Sequence, residues 1–103
     1  MTMVAWEGER VAGLARSTAD PDFEEAEAAV IIRADLREKG LARQLLQALL
    51  NAIAGQGVRR AVLVYPSALA SLQVISAELG FAAAPAQDDA AVTRATKALR
   101  SDK

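Results

Sequence analysis

The sequence predicts an α+β domain: a mixed, mostly antiparallel sheet with a central parallel strand pair, and two main helices. Three observations carry this. Strand signals fill the first third of the chain with no helix between them. One strongly amphipathic helix stands between two short apolar, β-branched runs. A second helical pattern then gives way to extended residues.

Taken in order, Met3 to Trp6, Gly8-Glu9-Arg10 and Val11 to Ser17 read as two strands around a glycine-containing turn. The stretch from Thr18 to Glu25, with Asp20-Pro21-Asp22, reads as a loop. Ala28 to Ile32 is a buried strand ending at Arg33. After a polar turn from Ala34 to Gly40, the residues Leu41, Leu45, Leu46, Leu49, Leu50 and Ile53 share one helical face, closed by Gly55 and Gly57. Arg59 and Arg60 lead into the strand Ala61 to Tyr65. A strand, helix and strand in this order predict two parallel neighbours joined by a right-handed crossover. Pro66-Ser67 opens the second helix, where Leu69, Leu72, Ile75 and Leu79 recur until Gly80 stops it. Phe81 begins another extended piece. Beyond a break at Pro85 to Asp89, the segment from Ala91 to Leu99 reads as a final strand or as an alanine-rich helix. Trp6 should anchor the first strand and Phe81 should pack at the end of the second helix. Phe23, in the acidic loop, is either structural or turned toward a substrate.

Length and composition bound the chemistry. With 103 residues, positions 1–103 make one domain, large enough for a real core. Apolar residues are 52% and charged residues 24%, the balance of a soluble globular chain. The 24 alanines and the 4% aromatic content predict a core of small and aliphatic side chains. Twelve basic residues against 13 acidic ones argue against a nucleic-acid partner. With no cysteine and no histidine, thiol catalysis, disulfides, zinc fingers and Ser-His-Asp triads are excluded. Any metal site would be all-carboxylate, and none is expected. Met1 to Glu9 does not read as a signal peptide, and no run approaches the ~18 apolar residues of a span, so the expectation is a cytoplasmic protein without a membrane partner.

The chemically informative segment runs Ile31-Ile32-Arg33-Ala34-Asp35-Leu36-Arg37-Glu38-Lys39-Gly40-Leu41-Ala42-Arg43. A strand, a polar turn and a helix opening on Gly40 and Ala42 let backbone amides approach an anion. The free amides and dipole of a helix start suit phosphate. Arg37, Lys39 and Arg43 add positive charge there. The segment carries neither the phosphate-loop pattern of nucleotide triphosphatases nor the three-glycine dinucleotide fingerprint.

The order of elements, with Arg37-x-x-Gly40-x-Ala42 at the helix start and Leu79-Gly80-Phe81 at the end of the second helix, resembles the GNAT superfamily of acetyl-CoA-dependent N-acyltransferases, over roughly Val4 to Leu99. The stretch from Gly13-Leu14-Ala15-Arg16 through Asp20-Pro21-Asp22 to Ala26-Glu27-Ala28-Ala29-Val30 looks most like the bacterial protein-lysine acetyltransferase branch. The resemblance implies a three-layer fold that here lacks the usual first strand and first two helices. It implies acetyl-CoA as co-substrate, with Gly40, Leu41 and Ala42 meeting the pyrophosphate through amides. Arg37, Lys39 and Arg43 would help with phosphate charge, Glu38 lies within the same loop, and Ile31, Ile32 and Arg33 would pair with the pantetheine amides.

On the same resemblance, Glu27 is the candidate base for a lysine-type amine, which is mostly protonated at neutral pH. The family's helix tyrosine and the asparagine seven residues before it are replaced by Ser76 and Leu69. Ser76 is the candidate donor to the cofactor sulfur, and Tyr65 is pocket wall or acid. The expected activity is acetyl transfer to an amine, a protein lysine among the candidates. The alternative is a non-catalytic acyl-CoA-binding or protein-interaction module. Uncovered apolar sheet and an open strand edge predict a homodimer, or packing with another chain that supplies the acceptor wall.

Overall fold

The computed structural model describes residues 1–33, 35, 40–86 and 89–99. Its elements are β1 (Thr2–Glu7), β2 (Arg10–Ala19), β3 (Glu25–Ile32), α1 (Leu41–Gly55), β4 (Arg60–Pro66), α2 (Ala70–Glu78), β5 (Ala82–Ala86) and β6 (Asp89–Ala98). The strands form one sheet in the order β1-β2-β3-β4-β6-β5. The β3–β4 pair is parallel and its four neighbouring pairs are antiparallel, so α1 is the crossover between the parallel strands. This is the sheet and helix content predicted above.

Strand alternation decides where the core lies. In register across the sheet, Met3, Ala15, Ala26, Ala28, Ala61, Leu63, Tyr65 and Ala95 point to one face and join the core. The helix α1 presses Leu46, Leu49, Leu50 and Ile53 onto that face, each at most 2% exposed. Small side chains on the strands leave room for large ones on the helix. Gly13 is the extreme case: a Cβ there would stand 2.5 Å from Ile32 Cδ1 and 2.9 Å from the Ile31 carbonyl, so β2 and β3 approach this closely only around a glycine. The helix α2 packs on the same face, with Leu79 and Phe81 in the core and the Lys97 ammonium donating to the Leu79 carbonyl at 2.5 Å. The described residues therefore build two layers, and the opposite sheet face has no helix over it.

Three expectations shift. Trp6 does not anchor a core but is 64% exposed. Alternation along β1 turns Met3 and Ala5 toward the core and Trp6 to the helix-free face, opposite Val11, where no helix covers the ring. The second helix begins at Ala70, because Pro66 completes β4 and Ser67 is tied to β6 by its amide on the Ala91 carbonyl at 2.7 Å. The segment after the break is a strand, β6, rather than a helix. The strand β3 starts at Glu25, ahead of the predicted Ala28, and Glu25 receives Arg60 at 2.8 Å and Arg94 at 2.9 Å. Phe23 turns at φ 59° in the short loop and is 44% exposed, and Phe81 is buried as expected.

Candidate functional site

The strand β3 has two different halves. Its parallel ladder with β4 covers Glu25 to Ala28 against Arg60 to Leu63, whereas its ladder with β2 continues to Ile32. Past Ala28 the strand is therefore paired on one side and open on the other. Which backbone groups are left free follows from alternation. The Arg33 amide donates to the Ala12 carbonyl at 2.9 Å, so odd-numbered residues face β2, and the amides and carbonyls of Val30 and Ile32 face the gap. The next rung of the parallel ladder would run from the nitrogen of residue 66 to the Val30 carbonyl. Residue 66 is proline and has no hydrogen to give.

The gap widens into a groove lined by Val30, Ile31, Ile32, Ala42, Leu69, Ser71, Leu72 and Ile75. One wall is the open strand edge, the other is α2, and the start of α1 closes the end. Gly40 caps α1 at φ 73°, a left-handed backbone suited to glycine, and none of the described residues comes within 4 Å of where a Cβ would stand. Neither a side-chain cap nor an acidic residue occupies the first turn, so its leading amides have no acceptor within the helix. An extended ligand carrying amides fits such an edge, and an anionic group fits such a helix start.

Of the predicted site residues, Ile32, Gly40, Leu41 and Ala42 gather here. Arg37, Glu38 and Lys39 lie outside the described residues. Arg43 lies one step round the helix, in a depression with Gln44, Gln47, Asn51 and Leu79 rather than in the groove. Ile31 borders the groove, but its amide faces β2, and so does that of Arg33. The backbone groups left free are therefore those of Val30 and Ile32, not those of Ile31 and Arg33. The amides of Val30 to Arg33 were expected to polarise the thioester, but Val30 was not among the residues expected to pair with pantetheine, because strand polarity depends on register; Leu72 and Ile75 were missed because groove-wall and core positions share one helical period.

Ser76 is 1% exposed and points away from the groove. Its hydroxyl donates to the Gln73 carbonyl at 3.0 Å and lies 3.3 Å from the Tyr65 hydroxyl, under β5 and β6. The positions around α2 that line the groove are 69, 71, 72 and 75, and residue 76 sits a further 100° round the helix from Ile75. The donor role expected of Ser76 thus has no geometric support, and Tyr65 is core. Glu27 is exposed on the helix-free face, opposite Thr18 and Val62, in a shallow depression with Arg16, Thr18 and Ala29. It precedes the point where β3 and β4 part by one residue.

Beside the exit from β3, Arg33 makes a three-residue cluster. Its Nε donates to Asp35 Oδ1 at 2.7 Å, and its Nη2 donates to Asp35 Oδ2 at 3.1 Å and to Glu7 Oε1 at 2.6 Å. These bonds hold the Arg33 pKa above its usual value, Asp35 contributing most and Glu7 next. The bond from Arg33 holds the Asp35 carboxyl below the ordinary carboxylate range.

Comparison with known proteins agrees with this geometry. The fold matches the ribosomal-protein-S18-alanine N-acetyltransferase from Escherichia coli with a TM-score of 0.84 at 20% identity, over 100% of this chain and 71% of that one. It matches yncA from Salmonella typhimurium, solved with its cofactor acetyl-CoA, with a TM-score of 0.84 at 23% identity, over 99% of this chain and 66% of that one. The GNAT domain of PAT from S. lividans gives 0.82 at 18% identity, over 94% and 59%. The chain thus spans 59% to 71% of the length of these structures, and at such identities the likeness is one of fold. Residues 1–81 match the acetyltransferase (GNAT) family in sequence, and the chain belongs to that family.

Proposed function

We propose that this chain is an N-acyltransferase that takes an acetyl group from acetyl-CoA and passes it to an amine. The observation that carries the reading is the half-paired β3: Val30 and Ile32 offer free backbone donors and acceptors along an apolar groove that ends at uncapped helix amides. A pantetheine arm has amides for the edge and methylenes for Leu72 and Ile75. Its diphosphate has the start of α1, with Gly40, Leu41 and Ala42. Family membership and the acetyl-CoA held by the Salmonella structure support the same donor.

In the reaction the amine nitrogen forms a bond to the thioester carbonyl carbon, the carbon–sulfur bond breaks, and coenzyme A leaves as thiolate. The amine gives up a proton. Glu27, beside the parting of β3 and β4, is the group in reach of an amine arriving from the helix-free face, directly or through water. A lysine of a protein is one acceptor that fits an exposed site of this kind. One observation favours a second reading, acyl-CoA binding without transfer: among the described residues the groove lining carries no titratable side chain, and Ser76 is turned away.

The experiment pairs calorimetry with turnover. Acetyl-CoA should bind the unaltered chain and bind Gly40→Glu at least tenfold more weakly, since Glu adds both backbone strain and a repelling charge. Coenzyme A release should rise when mixed amines and lysine-rich protein are added. Binding without release supports the second reading, and equal affinity in both chains removes the helix start from the site.

The helix-free face carries Val4, Trp6, Val11 and Ile31, all at least 43% exposed, beside the β1 edge. Apolar surface of this kind is rarely left to solvent, so we assign it to a homodimer contact. Light scattering should give twice the chain mass, and a monomer at every concentration counts against the assignment.

A further inference from the structure

We propose that Arg16 receives a carboxylate beside the reacting amine, so that the acceptor is a zwitterion of the α-amino acid type. The proposal rests on the acetyl-transfer reading above and narrows its acceptor. Strand register brings the two charges together. Arg16 stands opposite Ala29 and Thr18 opposite Glu27, so Arg16 and Glu27 are diagonal neighbours on β2 and β3, about 7–8 Å apart at the backbone. Both side chains lie on the helix-free face, because Ala15 and Ala28 beside them turn into the core. They line one shallow depression with Thr18, Ala28 and Ala29. Ala29, directly opposite Arg16, leaves room between the two charges.

What sets this pair apart is that its charges are left unpaired. Elsewhere around β3, Glu25 takes Arg60 at 2.8 Å and Arg94 at 2.9 Å, and Arg33 takes Glu7 at 2.6 Å and Asp35 at 2.7 Å. Among the described residues, the side chains of Arg16 and Glu27 have no hydrogen-bond or ion-pair partner, neither each other nor any neighbour. A cation and a carboxylate too far apart to bond to one another are set to be bridged. An α-amino acid is the simplest bridge. Its ammonium meets Glu27, and its carboxylate meets the planar guanidinium fork, which takes both oxygens at once. Glu27 then accepts a proton from the amine, directly or through water, the nitrogen bonds to the thioester carbon, and coenzyme A leaves as thiolate. A lysine side chain has no anion beside its amine and leaves Arg16 unused. A polyamine brings a second cation against it.

The experiment measures coenzyme A release from acetyl-CoA with a panel of amino acids and their matching amides, a blocked peptide containing one lysine, and spermidine. Each amide lacks only the carboxylate. It also holds the larger share of unprotonated amine at neutral pH, because a neighbouring carboxylate raises an amine's pKa. Intrinsic chemistry therefore favours the amide, and a preference for the acid comes from the site. The best amino acid should exceed its amide about fivefold in kcat/KM, and exceed the lysine peptide and spermidine as well. Arg16→Gln should bring acid and amide to within about twofold of each other, and Arg16→Lys should keep part of the preference, both binding acetyl-CoA as the unaltered chain does. If Arg16→Gln fails to fold, the panel on the unaltered chain and on Arg16→Lys decides. Amides turned over as well as the acids, a better rate with the lysine peptide or spermidine, or a preference that survives Arg16→Gln overturns this proposal alone. Failure to bind acetyl-CoA overturns the acyl-CoA reading, and binding with no amine acetylated overturns transfer; either takes this proposal with it.

Discussion

The two halves of β3 differ in one respect, the number of strands they pair with, and nearly everything else about the site follows. From Glu25 to Ala28 the strand is held on both sides, its small side chains are buried under α1, and Glu25 joins Arg60 and Arg94 across the sheet. From Ala29 to Ile32 it keeps only β2, and the free edge faces a groove. The same backbone is structural where both edges are satisfied and able to bind where one is not. Pro66 marks the boundary from the β4 side, since it withholds the donor that would have continued the ladder.

The comparison can be broken most severely by proline in the closed half. Ala28→Pro deletes an amide that the register aims at β4 and orphans a buried carbonyl, a loss of about 1–3 kcal/mol before any steric cost. Thermal melting should show a chain that is unfolded or nearly so. Next in size is the chemistry. Glu27→Gln should slow single-turnover acetyl transfer by about a hundredfold at neutral pH, with the deficit shrinking as pH rises and the amine loses its proton unaided. A rate equal to the unaltered chain from pH 6 to 9 would remove Glu27 as base.

The sharper form of the comparison is Val30→Pro. Its amide faces the gap and has no strand partner to lose, so the chain should fold, melt within a few degrees of the original, and bind acetyl-CoA about tenfold more weakly. If Val30→Pro and Ala28→Pro are equally destabilising, the two halves are not distinct. The smallest effect concerns the exit from the open half. The folded Asp35 carboxyl lies below its unfolded value, so its bond to Arg33 contributes stability above the ordinary carboxylate range. That contribution is lost as pH falls through the lowered folded pKa. Carboxyl NMR should place the Asp35 midpoint below about 3.9, the usual value for Asp, and an ordinary midpoint would mean that the Arg33 contact is not kept in solution.

Much of this was legible in the residues. The start of α1 at Leu41 and its buried face follow from the spacing of leucines, because a helix side chain's surroundings depend on its own angular position. The order of elements and the Gly40-x-Ala42 start carried the family resemblance that the sequence match over residues 1–81 establishes. The exposure of Trp6 was not legible. A large ring in an alternating strand reads as buried, and only a sheet face without a helix leaves it at the surface. Ser76 was misplaced for a related reason: motif position names a residue, but the turn of α2 relative to β4 decides that it meets Tyr65 and not the groove.

Local patterns, then, determined the elements, their order, the small-residue core and the glycine at the helix start. These depend on residues close in the chain, where torsional preference and side-chain period act directly. Tertiary structure decided which amides of β3 stay free, which sheet face stays open, and that Arg33 serves two carboxylates instead of a ligand. Each of those is a question of register or of contacts between residues far apart, such as Glu7 and Arg33, and one residue's slip in pairing would have reversed the answer.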